Sequence, residues 1–137
     1  MKKAIIAVVV LIVVAAGVFV MKDKIFGVKY KDGTYWGEYQ ADDGENTKVT
    51  ITFKDGKIVD CVLEAFDDMG RIKDETHGSD GSPEDFKRAQ KAVREMKKYP
   101  AMLIEVQDIE KLDVITGASI THRAMQYAVR EALKKAK

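Results

Sequence analysis

An uninterrupted apolar run near the start of the chain restricts its possible folds more than any other feature. Residues 4–21 are 18 consecutive apolar or glycine positions, and twelve of them are Ile, Val, Leu or Phe. As a helix rising 1.5 Å per residue, the run would be about 27 Å long, close to the ~30 Å hydrocarbon core of a bilayer. Each of these large apolar residues favours insertion by roughly 0.3 to 0.6 kcal/mol. The run therefore predicts that residues 1–21 form a single membrane-spanning anchor.

The charged flanks of the run predict its orientation. Lys2 and Lys3 precede it, and basic residues are in excess on the cytoplasmic side of membrane helices. We therefore expect the amino terminus inside the cell and the rest of the chain outside, although Lys22 and Lys24 on the far flank weaken this assignment. A cleaved signal peptide would have a shorter apolar core and a small-x-small cleavage site. Residues 15–17 match such a site only weakly, so an uncleaved, single-pass anchor is favoured.

Composition limits what the rest of the chain can be. After a short tether, residues 22–31, the remaining residues 32–137 are long enough for one domain with its own core. The chain has 23 basic and 22 acidic residues, so it lacks the basic surface expected of a nucleic-acid-binding protein. Its single cysteine excludes an internal disulfide and a CxxC redox pair, and its two histidines lie at no metal-ligand spacing. We therefore expect neither a nucleic-acid partner nor a metal site.

The first half of the domain has the pattern of a small antiparallel sheet. An Asp-Gly turn followed by aromatic residues indicates a strand that ends near Gln40. Apolar and polar side chains alternate over residues 49–53, which is typical of a half-buried strand. Residues 54–57 form a hairpin turn in which Gly56 supplies a positive φ, and residues 58–66 form the returning strand.

The second half of the domain predicts helices that would cover this sheet. Ser82 followed by Pro83 and two acidic residues is a typical helix start, and Pro100 ends or restarts the helix. Residues 67–82 form a charged, solvated loop, with a flap over a bound ligand as the alternative. The predicted fold is α+β, a small antiparallel sheet covered by two or three helices and preceded by one transmembrane helix. The apolar face of the first of these helices consists of Phe86, Ala89, Ala92, Val93 and Met96.

The stretch before the last helix has the composition of a strand, a tight turn and a helix start. Residues 112–115 are mostly apolar and predict the end of a buried strand, and Gly117 permits a sharp turn. Ser119 and Thr121 are helix-capping residue types, and from Ile120 an apolar stripe at helical spacing continues to the end of the chain. A helix amino terminus carries free N–H donors and the positive end of the helix dipole, so it can hold a phosphate. On spacing alone, an ordinary capped loop is the alternative.

The same stretch resembles a known attachment motif. Asp113, two variable residues, then Thr116, Gly117, Ala118 and Ser119 resemble the flavinylation motif of the FMN-binding domain family. This family includes flavin subunits of membrane redox pumps and small membrane-anchored flavoproteins. Its motif consists of Asp, two variable residues, Ser or Thr, Gly, Ala and a final Thr or Ser. The commoner final residue is Thr, so Ser119 departs from the commonest form of the motif.

Other segments resemble the family in the same order along the chain. Residues 32–35 are Asp-Gly-Thr-Tyr, residues 55–58 are Asp-Gly-Lys-Ile, and Gln107 precedes the motif aspartate. The resemblance therefore covers essentially all of residues 32–137 and implies the same α+β architecture.

The resemblance implies FMN as the cofactor, esterified through its phosphate to the final hydroxyl of the motif, Ser119. It also implies a separate flavin transferase, which takes FMN from FAD and releases AMP, and a membrane-bound redox partner. Because the flavin carries the redox chemistry, we expect an electron-transfer protein, not a stand-alone enzyme with catalytic side chains. Two alternatives stay open: a noncovalent FMN-binding or sensing module, and a structural subunit of a redox complex that has lost the flavin.

The motif assigns roles to individual residues. Asp113 and Thr116 would fix the turn through hydrogen bonds to backbone N–H groups, and the resemblance makes Asp113 part of the pattern that the transferase recognises. Thr121 would cap the last helix and serve as the back-up acceptor. The candidates to pack on the flavin ring are three aromatic residues: Tyr35, Trp36 and Tyr127. The predicted cofactor-binding residues are Asp113, Thr116, Gly117, Ala118, Ser119 and Thr121.

Overall fold

The computed structural model describes residues 30–137, so the predicted anchor at residues 1–21 and all but the end of the predicted tether at residues 22–31 lie outside it. The described elements are β1 (Gly33–Gln40), β2 (Asn46–Lys54), β3 (Lys57–Phe66), α1 (Pro83–Met96), α2 (Tyr99–Val106), a 3₁₀ turn (Ile109–Lys111) and α3 (Ser119–Ala136). Within residues 30–137, none of the helices has the length and apolar content that crossing a membrane would require. For this part of the chain, the predicted α+β fold is confirmed.

The strands form one antiparallel sheet in the order β1-β2-β3. β2 is central, and its Ile51 lies opposite Tyr35 of β1 and Cys61 of β3. The connection between β2 and β3 is the predicted hairpin turn, where Asp55 and Gly56 have φ angles of 53° and 78°. Two positive φ angles in a two-residue loop produce a twist that matches the flanking strands. The predicted hairpin and the positive φ at Gly56 are therefore confirmed.

Helices α2 and α3 cover one face of the sheet, and α1 adds Val93 and Met96 to the same hydrophobic core. On β2 the side chains of Val49, Ile51 and Phe53 are buried, as their alternation with polar residues predicts. Helix α3 packs on β1 and β2, and α2 packs on β3. Gly37 permits a very close approach, because a Cβ there would lie 1.9 Å from the Ala128 carbonyl oxygen. The backbone of α3 therefore lies directly against β1.

The predicted helix start at Ser82 is confirmed. The Ser82 hydroxyl oxygen accepts a hydrogen bond from the Asp85 N–H, and Pro83 is the first residue of α1. Of the apolar face predicted for this helix, Val93 and Met96 belong to the core, whereas Phe86, Ala89 and Ala92 are only partly buried. Pro100 lies in the first turn of α2, so the helical path restarts there. N–H groups in the first turn have no helical acceptor, so the absence of an N–H in proline breaks no hydrogen bond.

Residues 67–82 form the predicted loop, which is mostly exposed and contains one isolated β-bridge at Ile72. Hydrogen bonds within the loop hold its shape. The Asp67 carboxylate accepts from the backbone N–H groups of Met69 and Arg71. These bonds hold the pKa of Asp67 below its ordinary value, and the bond from the Arg71 N–H has the largest effect.

Two predictions for the stretch around the start of α3 are wrong. Residues 112–115 pair with no strand among residues 30–137. Leu112 is buried and Val114 is 56% exposed. This short run therefore contributes Leu112 to the core and does not join the sheet. A short apolar run cannot by itself distinguish a strand from a buried extended segment. Ile120, the predicted start of the apolar stripe of α3, is 79% exposed and lies outside the buried stripe, whereas His122 is buried.

Candidate functional site

A buried tyrosine fixes the loop that precedes α3. The Tyr99 hydroxyl donates a hydrogen bond to the Ala118 carbonyl oxygen at 2.9 Å and accepts one from the Ile115 N–H at 3.0 Å. Tyr99 is the first residue of α2 and is fully buried, so water does not compete for these bonds. Burial raises the pKa of the hydroxyl, which therefore stays protonated and able to donate. One side chain thus holds both ends of the segment from Ile115 to Ala118.

A buried histidine holds the start of the same loop. His122, near the start of α3, is 8% exposed, and its Nε2 lies 2.7 Å from the Leu112 carbonyl oxygen. Because a carbonyl oxygen only accepts hydrogen bonds, this contact requires the ring proton on Nε2. The imidazole ring also lies against the ring of Tyr99, with 5.8 Å between the two centroids. Tyr99 and His122 together therefore fix residues 112–118, the motif loop.

Helix α3 begins one residue earlier than the sequence predicts. Gly117, with a φ of 93°, completes the turn, and the Ala118 carbonyl oxygen already accepts a helical hydrogen bond from the His122 N–H at 3.1 Å. Ser119 is therefore the first residue of the helix and Thr121 is the third, so the prediction that Thr121 caps the helix is wrong. The capping position belongs to Ala118, which has no side-chain acceptor, so within residues 30–137 the N–H groups of Ser119, Ile120 and Thr121 have no intrahelical or capping partner.

Asp113 and Thr116 do not fix the turn. Both are exposed, and within residues 30–137 neither side chain makes a hydrogen bond. The turn is closed by its own bond from the Ala118 N–H to the Ile115 carbonyl oxygen, at 3.0 Å, and the side chains that bind its backbone are Tyr99 and His122, on the core side. The predicted turn-fixing role of Asp113 and Thr116 is therefore wrong, and their exposure leaves both side chains accessible to a partner.

A lysine from α1 lies beside the turn. A Cβ on Gly117 would lie 3.6 Å from Cε of Lys91, which is an ordinary packing distance. The aliphatic part of the Lys91 side chain therefore packs on Gly117 and brings a positive charge close to the start of α3. A positive charge there offsets part of the negative charge of Asp113, which lies four residues before Gly117 in the chain.

A pocket of about 320 Å³ opens beside the first two turns of α3. Its volume is at the lower end of the range for small-molecule sites, about 300–1,000 Å³. Tyr39 and Ile120 contribute apolar surface to its lining. The basic side chains of Lys73 and Arg123 line it together with three acidic residues of the β1–β2 loop. The pocket therefore offers both an apolar surface and charged groups of either sign.

Lys73 connects the loop of residues 67–82 to this pocket. Its Nζ pairs with the Glu45 carboxylate at 2.8 Å, and 16% of its side chain is exposed. Among the predicted site residues, Thr121 lines the pocket. Ser119, the predicted acceptor, is not among the lining residues and lies at the start of the same helix, two residues before Thr121.

The structure separates the three aromatic residues predicted to pack on a flavin ring. Tyr127 stacks on Tyr39, with 4.7 Å between the ring centroids, and Tyr39 lines the pocket. Trp36 lies near the far end of α3, where Nζ of Lys135 is 3.5 Å from its ring centroid. Tyr35 lies near the start of β1, also away from the motif loop. Of the three, Tyr127 is therefore the one beside the pocket.

Gln107, which the sequence singles out only by resemblance, has a structural role. Its Oε1 accepts from the Ile58 N–H and its Nε2 donates to the Ile58 carbonyl oxygen, both at 2.8 Å. This amide pair joins the end of α2 to the start of β3. It therefore helps to hold the helix that carries Tyr99.

The two residues that hold the motif loop are not identified by the sequence. Tyr99 lies beside Pro100 at a helix boundary, and its hydrogen bonds reach residues 16 and 19 positions away. His122 offers one available signal, because it lies at helical spacing from Met125 and Val129, which are buried. A polar residue on a buried helical stripe is a candidate for a satisfied, buried hydrogen bond.

This chain is similar to known proteins in sequence and in fold. Residues 43–134 match the model of the FMN-binding domain family. A crystal structure of a Clostridium perfringens protein is 26% identical, covers 78% of this chain and 88% of its own, and has a TM-score of 0.62. A solution structure from Clostridium thermocellum is 28% identical, covers 78% of this chain and 92% of its own, and has a TM-score of 0.48. No curated protein matches the chain. Because the family model matches more than half of its residues, the chain belongs to the FMN-binding domain family.

Proposed function

We propose that the chain is a membrane-anchored, extracytoplasmic flavoprotein that carries FMN as a phosphoester on Ser119 and transfers electrons. The position of Ser119 carries this proposal. It is an exposed hydroxyl residue, the first of a helix whose amino terminus has no side-chain cap. Membership of the FMN-binding domain family supports the choice of cofactor, and the resemblance of residues 113–119 to an attachment motif supports the choice of acceptor.

The start of α3 suits the phosphate of FMN. The first-turn N–H groups are donors without helical acceptors, and the helix dipole stabilises an exposed anion there by roughly 0.3–1 kcal/mol. Gly117 and Ala118 carry little side-chain bulk, so a ligand could approach the backbone. Lys91 adds a positive charge beside the turn. These residues would hold the phosphate, while Ser119 would supply the ester oxygen.

The pocket beside α3 suits the flavin ring. Tyr39 and Ile120 would pack on the apolar isoalloxazine, and Lys73 and Arg123 would face its polar edge. When bound, FMN supplies the one- and two-electron chemistry, and the protein orients it and limits its exposure to water. The same pocket also favours the second candidate, noncovalent FMN binding, because it could hold the flavin without an ester.

Attachment would be a phosphoryl transfer catalysed by a flavin transferase. A bond forms between Ser119 Oγ and the phosphorus of the FMN half of FAD. The pyrophosphate bridge breaks, AMP leaves with the bridging oxygen, and the Ser119 hydroxyl proton is released. No oxidant or reductant is needed, because the step changes no oxidation state.

An extracytoplasmic location gives the ester a physical purpose. A ligand with a micromolar Kd has a binding free energy of about −8 kcal/mol. It would dissociate and be lost where its external concentration is low. A covalent bond removes that loss. The apolar run at residues 4–21, with Lys2 and Lys3 before it, supports a single-pass anchor with the domain outside. A membrane-bound redox partner would then exchange electrons with the flavin.

Replacement of the acceptor tests the proposal directly. Wild-type chain, Ser119→Ala and Thr121→Ala are each co-expressed with a flavin transferase and run on a denaturing gel. We expect flavin fluorescence in wild type and Thr121→Ala and none in Ser119→Ala. Peptide mass spectrometry should place the mass of FMN on the wild-type peptide that contains Ser119.

The other outcomes distinguish the alternatives. A wild-type protein that is yellow when purified but loses its colour on denaturation would establish noncovalent binding. A protein that takes up no flavin in either assay would be a flavin-free structural subunit. Fluorescence that survives in Ser119→Ala and disappears in Thr121→Ala would show that the ester forms on Thr121, which lines the pocket, and not on Ser119.

A further inference from the structure

We propose that Tyr99 is a positioning residue for flavin attachment, which presents Ser119 to the transferase through its two hydrogen bonds to the motif loop. The inference rests on the proposed covalent function. Tyr99 is fully buried, so it would touch neither the flavin nor the transferase. It acts through the backbone of Ile115 and Ala118.

The two bonds of Tyr99 enclose the part of the loop that must be recognised. The Ile115 N–H and the Ala118 carbonyl oxygen lie on either side of Thr116 and Gly117, and Ser119 follows Ala118 directly. Within residues 30–137 the exposed side chains of Asp113 and Thr116 make no hydrogen bonds that could order the loop. Besides the turn's own bond from the Ala118 N–H to the Ile115 carbonyl oxygen, the side-chain bonds that set the loop conformation therefore come from the core side.

Tyr99 is itself held rigidly, as a positioning residue must be. The far end of α2 is joined to β3 by the Gln107–Ile58 amide pair. The Tyr99 ring lies against the His122 imidazole, which binds the Leu112 carbonyl oxygen. The loop is thus attached to two buried side chains that belong to two different helices.

A preordered loop lowers the cost of reaction with a macromolecular catalyst. Ordering a flexible segment at the moment of binding costs conformational entropy, and a segment already in its bound conformation avoids that cost. In Tyr99→Phe the ring still fills its space, but the partly buried Ile115 N–H loses its acceptor. The turn would then sample other conformations, and Ser119 would spend less time in the reactive one.

The test compares hydroxyl deletions at two tyrosines in the full-length chain. Wild type, Tyr99→Phe, Tyr35→Phe and Gly56→Ala are purified without flavin in detergent and incubated with transferase and FAD. Tyr35 is the matched control, because its hydroxyl also bonds a backbone carbonyl, that of Asp32, at 3.2 Å. Gly56→Ala controls for lost stability, because it strains the hairpin turn at the start of β3, away from the motif loop. Initial rates of attachment are measured over a range of chain concentrations, at a temperature where melting curves show all four proteins folded.

We expect Tyr99→Phe to lose about tenfold in kcat/KM for attachment, with a lower kcat, because the bound chain would hold Ser119 incorrectly. Tyr35→Phe and Gly56→Ala should react like wild type. A Tyr99→Phe protein that reacts at the wild-type rate would overturn the positioning role and leave the proposed function intact. Equal rate losses in Tyr99→Phe and Gly56→Ala would also overturn it, because stability would then be the cause. A wild-type chain that accepts no FMN would overturn both proposals.

Discussion

Single polar side chains decide much of the geometry around the motif loop. Tyr99, Gln107 and His122 each bind backbone groups of another segment of the chain. Tyr99 and His122 are buried, whereas Gln107 is exposed and its bonds to Ile58 are partly buried. Buried polar groups are stable only when their hydrogen bonds are satisfied, so Tyr99 and His122 define the place of the motif loop that they bind. Tyr99 bonds α2 to the motif loop, and Gln107 bonds the end of α2 to β3. His122 bonds α3 to the motif loop.

A surface ion pair beside the motif loop should make stability depend on pH. Arg130 donates two hydrogen bonds of 2.8 Å to the carboxylate of Glu110, in the 3₁₀ turn, and they hold its pKa below the ordinary value of 4.5. A carboxyl whose pKa is lowered on folding stabilises the fold above its unfolded pKa, and this contribution is lost as the pH falls through the folded pKa. Both groups are partly exposed, so the pair contributes about 0.2–1 kcal/mol.

Glu110→Gln tests this contribution and leaves the contact of Arg130 with Tyr127 in place. Urea unfolding at neutral pH should show the variant less stable than wild type by about 0.2–1 kcal/mol. In strong acid, where Glu110 is protonated, the difference should disappear. If the difference in unfolding free energy between wild type and Glu110→Gln stayed constant across this pH range, the ionised Glu110 carboxylate would not be what stabilises the fold.

At the scale of elements, the contact between α3 and β1 determines where the motif loop lies. Gly37 allows the helix backbone to touch the strand, and Ala128 and Ala132 on the facing side are small and fully buried. The start of α3 is therefore placed against the end of β1 that leads into the pocket-lining loop. A larger residue at the contact would push the helix outward along its whole length.

Gly37→Ala should therefore destabilise the chain strongly. The new Cβ would lie 1.9 Å from the Ala128 carbonyl oxygen and 2.6 Å from the Ala132 nitrogen, so the helix must shift. We expect a loss of about 3 kcal/mol in the free energy of unfolding, at the upper end of the cost of overpacking. Gly56→Ala is the control: it strains a positive φ but meets no atom within 4 Å, and should cost about 1–2 kcal/mol. Chemical denaturation of the purified proteins measures both, and a Gly37 variant no less stable than the Gly56 variant would contradict the close contact.

At the scale of the whole molecule, the proposed anchor should place the domain outside the cell. The chain should sediment with membranes and resist alkaline carbonate, because the 18-residue apolar run at residues 4–21 would hold it in the bilayer. Protease added to intact cells should digest the domain and spare a cytoplasmic marker. Replacing Lys2 and Lys3 by Gln should reduce the fraction that protease reaches, since these residues favour the proposed orientation. Full protection of the wild-type domain would contradict that orientation.

Local sequence signals are sufficient to predict the elements that a few neighbouring residues determine. The hairpin at Gly56 follows from the φ freedom of glycine, and the start of α1 follows from Ser82 and Pro83, because turn and cap chemistry acts over two to four positions. The alternation on β2 likewise predicted its buried face. The position of Ser119, at the junction of a glycine turn and the last helix, was also visible in the sequence.

Tertiary structure alone decided the rest, because the causes lie far apart in the chain. Tyr99 binds residues 16 and 19 positions away, and Gln107 binds Ile58 across 49 positions. No local pattern records such bonds, so the sequence assigned the fixing of the turn to the nearby Asp113 and Thr116 instead. The run at residues 112–115 resembled a strand because burial and strand pairing favour the same residues, and only the fold determines whether a partner strand is present. The pocket beside α3 likewise exists only because the β1–β2 loop, Lys73 and the helix meet in space.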